Sequence, residues 1–280
     1  MVKAVDLGGV RAGCGEKVVV IAELGINHNG DMRNAKKLIE KAASSGADMV
    51  KLQTYITEKR VTKDSSIFGI LKQCELSFTQ QKELFQYGRD KGVIVFSTPF
   101  DDESVDFLYS VKCPVYKIAS FDLVNKKLLK KVAAMGKPVI MSRGMADRRE
   151  VDTAAGVLKR TRTPLVLLHC ISAYPVTNAG SLNLSTIRAL EARYGCPVGY
   201  SDHTLGIDAA VASVAAGAMI IEKHFTLSRK AKGPDHALST EPAEMKRLVD
   251  GVRRMQLMMG RPAWTAVAEE KEILQYRRPS

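Results

Sequence analysis

Short runs of β-branched and other apolar residues alternate along the chain with amphipathic stretches of helical period. The runs over 17–24, 49–54, 93–98, 115–120, 138–143, 165–170, 198–203 and 219–226 predict strands. Between and after them, 32–45, 79–91, 101–110, 125–135, 148–160, 183–194, 207–217 and 242–259 carry the helical period, with Thr79, Asp101 and Asn125 as expected capping residues. A strand that is always followed by a helix pairs in parallel with the next strand. Eight such units predict a (β/α)8 TIM barrel, an α/β fold.

Glycine punctuates this rhythm. Gly46, Gly92, Gly136 and Gly217 each stand between a helix and the following strand, where a left-handed cap conformation is needed, and so mark the barrel floor. The competing open-sheet fold normally announces itself with a G-x-G-x-x-G turn after its first strand; here the first strand runs instead into Glu23-Leu24-Gly25-Ile26-Asn27-His28-Asn29-Gly30. Residues 1–16 hold four glycines and are expected to form a short hairpin across the floor, with 17–262 as the barrel and 263–280 as a solvated tail. The long connection 56–78, with a short helix over 66–74, is expected on the active face.

Polar residues gather where each strand ends: Glu23, Lys51 with Gln53, Ser97 with Thr98, Lys117 with Ser120, Ser142 with Arg143, His169, Ser201 with Asp202 and His203, and Glu222 with His224. One buried charge at a strand end is ordinarily structural; eight strands doing the same predict a site on the C-terminal face. Period-two alternation puts Ser201 with His203, and Glu222 with His224, on common faces of neighbouring strands. Two imidazoles so placed suit a divalent metal, with Glu23 as a nearby carboxylate. Lys51, Lys117 and Arg143 bring positive charge to the same face, which an anionic substrate would compensate.

Composition narrows the reading further. The formal charge of +12 is spread along the chain and aromatic residues make up only 6%, which leaves few stacking platforms for nucleic acid. Five scattered cysteines without a C-x-x-C pair encode neither a disulfide framework nor a zinc cluster, and the longest apolar runs are strand-length. A cytoplasmic enzyme without membrane contact is the expectation.

Specific motifs then carry a resemblance: Ile21-Ala22-Glu23-Leu24-Gly25-Ile26-Asn27-His28-Asn29-Gly30, Lys51-Leu52-Gln53-Thr54, Phe96-Ser97-Thr98-Pro99-Phe100, Tyr116-Lys117-Ile118-Ala119-Ser120, Gly199-Tyr200-Ser201-Asp202-His203-Thr204 and Gly233-Pro234-Asp235-His236. In this order they resemble the sialic acid (N-acetylneuraminate) synthases over nearly the whole chain. The resemblance implies condensation of phosphoenolpyruvate with an aldose, N-acetylmannosamine-like or another sugar, to give a sialic-acid-like 3-deoxy-2-keto sugar acid and phosphate. It implies a homodimer, and a divalent cofactor with Mn2+ first and Zn2+, Fe2+, Co2+ or Mg2+ as alternatives. It further implies that His203 and His224 ligate the metal, and that Glu23, Lys51, Lys117 and both histidines are catalytic. Lys51, Thr98, Lys117, Ser120, Ser172 and Ser201 would cradle phosphoenolpyruvate, while Gln53, Asp122, Arg143, Tyr174, Asp235 and His236 would face the sugar.

Three positions depart from that pattern: Arg143 replaces a usual Thr, Asp122 a usual Glu, and Ser228 a common Asp. The chain also stops where the antifreeze-like (SAF) domain of such synthases would begin. These departures fall on the sugar side, so the reaction class is expected to hold and the acceptor to differ. Two rival readings stay open from the residues: a Schiff-base aldolase using Lys51 or Lys117, and a non-catalytic sugar-acid-binding barrel.

Overall fold

A computed structural model describes residues 2–278 and places eight parallel strands in a closed barrel. A two-stranded antiparallel hairpin, β1 (Val5–Asp6) and β2 (Arg11–Ala12), precedes it. The barrel strands are β3 (Val19–Gly25), β4 (Met49–Thr54), β5 (Ile94–Pro99), β6 (Tyr116–Ile118), β7 (Val139–Ser142), β8 (Leu165–His169), β9 (Val198–Asp202) and β10 (Ile220–His224). They are ordered as in the chain, and β10 pairs with β3 to close the ring.

Helices alternate with these strands: α1 (Met32–Ser44), then two short ones in the long connection, α2 (Thr57–Arg60) and α3 (Phe68–Cys74), then α4 (Phe78–Asp90). The remainder are α5 (Asp102–Ser110), α6 (Lys126–Ala134), α7 (Arg148–Arg160), α8 (Thr186–Tyr194), α9 (Asp208–Ala215) and α10 (Pro242–Met259). The expected strands and helices are all present, with ends displaced by a few residues. One cap differs: α4 opens on Ser77, not Thr79, because Ser77 and Gln80 close a reciprocal capping box that Thr79 has no partner to make. Asp101 and Asn125 cap α5 and α6 as expected. Among the described residues no helix is long and apolar enough to cross a membrane.

Inside and outside the sheet, apolar side chains form one continuous core, in which Ile21, Met49, Phe96, Tyr116, Ile140 and Leu167 are fully buried. Hairpin residues Leu7 and Ala12 join it, and Gly8 packs on Pro114, just ahead of β6, so the hairpin lies at the N-terminal ends of the strands. The opposite, C-terminal end is thereby left for the long connections. Beyond α10, residues 260–278 are exposed.

One ion pair sits where the core is otherwise apolar. Lys223 Nζ lies 2.7 Å from Asp202 Oδ2 across β10 and β9, both side chains fully buried, and the lysine also donates to the Thr204 carbonyl. Such a pair contributes little against a packed apolar replacement, but losing one member strands the other in a dry interior. Lys223→Met is therefore expected to lower unfolding free energy by about 3–5 kcal/mol. Denaturant titration checks this, and a loss below about 1 kcal/mol would show that water reaches Asp202.

Candidate active site

The strand-end residues do not all converge. Alternation sends Lys51, Thr98, Lys117, Ser142, Ser201 and Glu222 into a cavity of about 360 Å³ at the C-terminal mouth, together with Glu23, Gln53, His203 and His224. Their neighbours point outward. Ser97 pairs with Thr54 at 2.7 Å, Asp202 pairs with Lys223, and the His169 ring bonds the Leu182 carbonyl at 2.7 Å. Expecting every polar strand end on one face thus overcounts, because adjacent residues on a strand face opposite ways.

At the centre, Lys51 lies between two carboxylates, with Nζ 3.0 Å from Glu23 Oε2 and 3.5 Å from Glu222 Oε2. The three come from β4, β3 and β10, adjacent where the barrel closes, with Glu23 paired in register to both Lys51 and His224. One cation cannot hold two buried anions equally. Burial pushes the Glu23 carboxyl well above the usual carboxylate range, against the pull of Lys51. Burial opposes the charge on Glu222 too, yet Lys117, Lys51 and the Ser201 hydroxyl, which donates at 2.8 Å, outweigh it and hold that carboxyl low. Lys51 itself is disfavoured by burial but is kept charged by Glu222 and Glu23. The Glu23 carboxyl, pushed up to about 7, can therefore take or give a proton near neutral pH, beside an ionised Glu222.

Lys117 donates to Ser142 Oγ at 2.6 Å and to the Ile118 carbonyl at 3.0 Å. Burial, and then the positive charge of Lys51 working against the help of Glu222, leave its ammonium easier to deprotonate than usual. Nearby, the Gly144 N–H donates to Ser120 Oγ at 3.1 Å. A Cβ on Gly144 would lie 2.2 Å from Ser172 Oγ and 2.8 Å from both Ser120 Oγ and Cys170 Sγ. Ser172 Oγ is buried without a partner. Only glycine fits this close approach, and the Ser120 and Ser172 hydroxyls that meet beside it form a small polar recess at the cavity edge that suits an anionic oxygen.

The two histidines sit on the other side of Glu222. Their ring centres are 5.6 Å apart, and Tyr174 packs on His203 at 4.3 Å and edge-on to His224 at 6.0 Å. His203 Nδ1 is 2.8 Å from the Ile171 carbonyl, which can only accept, so the proton is on Nδ1 and Nε2 keeps its lone pair. Burial foremost, then the neighbouring imidazole, lowers the His203 pKa to about 4, and burial foremost, then Lys51, lowers that of His224 to about 3. Both rings are neutral, as metal ligation requires. His224 Nδ1 is a buried orphan 3.9 Å from Asp235 Oδ2. Among the described residues no group of three or more His, Cys, Asp or Glu forms a ready metal cage. Two imidazoles are a fitting donor set for a divalent ion that takes its other ligands from water and substrate.

Of the residues assigned by resemblance, Tyr174, Asp235, Gln53 and Ser120 line the cavity and Ser172 backs the recess, while Asp122, Arg143 and His236 do not line it. Arg143 follows inward-facing Ser142, so alternation turns it away, and its Nη2 donates to the Ala146 carbonyl at 3.1 Å. Arg143, which the resemblance has facing the sugar, thus lies outside the cavity in contact with its own loop. His236 is buried under the loop, its Nδ1 2.7 Å from Thr226 Oγ1. Asp122 accepts from Asn125 at 3.3 Å, beside the cap of α6.

Sequence reasoning passes over Cys170 and Arg60 as site residues and counts Ser142 and Glu222 among the polar strand ends without giving either a role. The register pair Lys117↔Ile140 puts Ile140 on the Lys117 face, so Ser142 two residues on faces inward as well. Arg60 sits in the charged run Glu58-Lys59-Arg60, which reads as solvent-facing; the signal that could have found it is the aromatic pair Tyr55 and Phe100, on which it lies.

Comparison with known proteins places this geometry. The NeuB family matches residues 38–263. An uncharacterised protein of Methanocaldococcus jannaschii is 44% identical over 99% of this chain and 82% of its own length. The N,N'-diacetyllegionaminic acid synthase of Campylobacter jejuni is 39% identical over 95% of this chain and 84% of its own length. The crystal structure of an N-acetylneuraminic acid synthetase from Leptospira borgpetersenii, in complex with citrate, superposes with a TM-score of 0.95 at 37% identity, covering 99% of this chain and 97% of that one. A closed barrel with this convergence of lysines, carboxylates and paired imidazoles, matched along most of its length, belongs to the NeuB family.

Proposed function

We propose that this NeuB-family enzyme condenses phosphoenolpyruvate with an aldose, N-acetylmannosamine-like or another sugar, to give a 3-deoxy-2-keto sugar acid and phosphate. The observation that supports this reading best is the split of the cavity into two unlike halves. One half offers Lys51, Lys117 and the recess of Ser120, Gly144 and Ser172 to an anion; the other offers neutral imidazoles, Gln53, Tyr174 and Asp235 to a polyol.

In this reading Lys117 and the recess take the phosphate, while Lys51 and Thr98, 3.3 Å apart, take the carboxylate. Anion binding favours the ammonium of Lys117 and so restores the charge that burial weakens. The substrate's terminal methylene carbon attacks the sugar aldehyde, forming the new C–C bond and leaving an alkoxide on the sugar and positive charge on the adjacent carbon, which bears the phosphate oxygen. Protonated Glu23 hands its proton to that alkoxide and then, as carboxylate, receives one from the water that adds to the cationic carbon. Loss of phosphate from the resulting hemiketal by C–O cleavage yields the keto acid. Ionised Glu222, held by Ser201 and Lys51, lies close to the transient positive charge. His203 and His224 would hold the divalent metal, which supplies Lewis-acid polarisation of the aldehyde when bound.

The competing use of Lys51 as a Schiff-base nucleophile fits poorly, because the ionised Glu222, helped by the contact with Glu23, favours its ammonium, which has no lone pair. A binding role alone would leave the Glu23 carboxyl, buried between Lys51 and Gln53, without purpose.

Release of inorganic phosphate from phosphoenolpyruvate is expected to require an added aldose, to cease with EDTA and to return with Mn2+. A coupled phosphate assay across a broad aldose panel checks this; phosphate independent of any sugar, or none under any condition, would contradict the synthase reading. Gly144→Ala is expected to raise KM for phosphoenolpyruvate by about tenfold or more, because the added methyl collides with Ser120 and Ser172 and displaces their hydroxyls from the anion. Steady-state kinetics at saturating sugar decide it, and an unchanged KM would move the phosphate elsewhere.

A further inference from the structure

Arg60, at the end of α2, is placed in the cavity with its charge largely unassigned. Its guanidinium lies 3.7 Å from the Phe100 ring centre and 4.7 Å from that of Tyr55, which themselves meet edge to face at 6.2 Å. The only hydrogen bond it makes among the described residues is from Nη1 to Gln53 Oε1 at 2.9 Å, one of five N–H groups. Gln53 in turn donates from Nε2 to Glu23 Oε1 at 3.2 Å. Among the described residues no carboxylate forms an ion pair with Arg60 within 4.0 Å. The planar fork is therefore fixed by aromatic packing on one side and by Gln53 on the other, with its remaining donors available.

The surroundings restrict what those donors can meet. Ile67, Ile70 and Leu71, from α3 and its cap, line the same cavity, and Ile67 and Ile70 remain 46% and 41% exposed within it. A group that suits Arg60 and this wall together has a strong oxygen acceptor and a small apolar end. An additional anion suits it less well, because Asp122 and Asp235 already act on the guanidinium from a longer range and would oppose a second negative charge.

We infer that Arg60 is a specificity-determining residue for the acceptor: it donates to the acyl oxygen of an acylamino substituent on a neutral sugar, whose alkyl end packs on Ile67 and Ile70. This inference rests on the synthase reading and names the acceptor class within it. An acyl oxygen takes two N–H groups of the fork without adding charge, and the methyl covers isoleucine surface that is otherwise wet. The cation is carried by the β4–α4 connection of the barrel itself.

The test measures kcat/KM for three acceptors at saturating phosphoenolpyruvate: an N-acetylhexosamine, the same hexose with hydroxyl in place of acetamido, and the 6-phosphate of the first. Wild-type enzyme should favour the neutral acetamido sugar over both others. In Arg60→Met the ratio of acetamido to hydroxyl sugar should fall about 10- to 100-fold. Because this ratio is internal to one enzyme preparation, loss of folded protein cancels. Arg60→Lys, which keeps charge but not the fork, should also lose discrimination. An unchanged ratio in Arg60→Met overturns the inference, as does wild-type preference for the 6-phosphate that disappears in the variant. Absence of turnover by wild type with every sugar would sink the synthase reading separately. Calorimetric binding of the two neutral sugars would then still decide the Arg60 assignment, equal affinity overturning it.

Discussion

One lysine held between two buried carboxylates organises this molecule. Lys51 lies within 3.5 Å of both Glu23 and Glu222, and these residues come from three strands that become neighbours only when β10 pairs with β3. Barrel closure therefore creates the charge conflict, and the conflict determines the protonation states. Since a single ammonium cannot neutralise two desolvated anions equally, one carboxylate holds its proton more tightly. The extra cation, Lys117, and the Ser201 hydroxyl settle which: Glu222 is held ionised, while Glu23 is pushed up to about 7.

From that asymmetry the two halves of the cavity follow. On the Lys117 side, the Ser120 and Ser172 hydroxyls pack so closely on Gly144 that a single methyl group there would collide with both. On the far side, burial keeps two imidazoles neutral, and the Ile171 carbonyl selects the tautomer of one of them. Glu23 lies between, touching Lys51 on one side and the Gln53 amide on the other. Gln53 passes this ordering on to Arg60, so the group that carries the exchangeable proton and the cation at the acceptor end are joined by one side chain.

Much of this is legible in the amino-acid sequence alone. The alternation of strand and helix patterns, with Gly46, Gly92, Gly136 and Gly217 in left-handed conformations at the floor, marks out the barrel because those signals are local. Glu23, Lys51, Lys117, His203 and His224 are visible as polar ends of apolar strands. Position along a strand gives facing only if the register is known, which is why the pattern favours Arg143 over Ser142 and counts Asp202 with the site instead of with Lys223. Arg60 is hidden for a different reason. A charged run in a loop has no period, and only the tertiary approach of Phe100 from another connection gives that arginine a dry surface to lie on. The orphaned oxygen of Ser172 and the recess at Gly144 likewise depend on contacts between the loops after β6, β7 and β8 that no single segment encodes.

The central claim is that water adds to the carbon that bears the phosphate and phosphate departs with the bridging oxygen. Phosphoenolpyruvate carrying 18O at its bridging oxygen, turned over with an acceptor sugar, tests this directly by mass spectrometry of both products. The account predicts that the label leaves with inorganic phosphate and that the keto oxygen of the sugar acid comes from solvent. Label retained in the sugar acid, with unlabelled phosphate, would show P–O cleavage and contradict it.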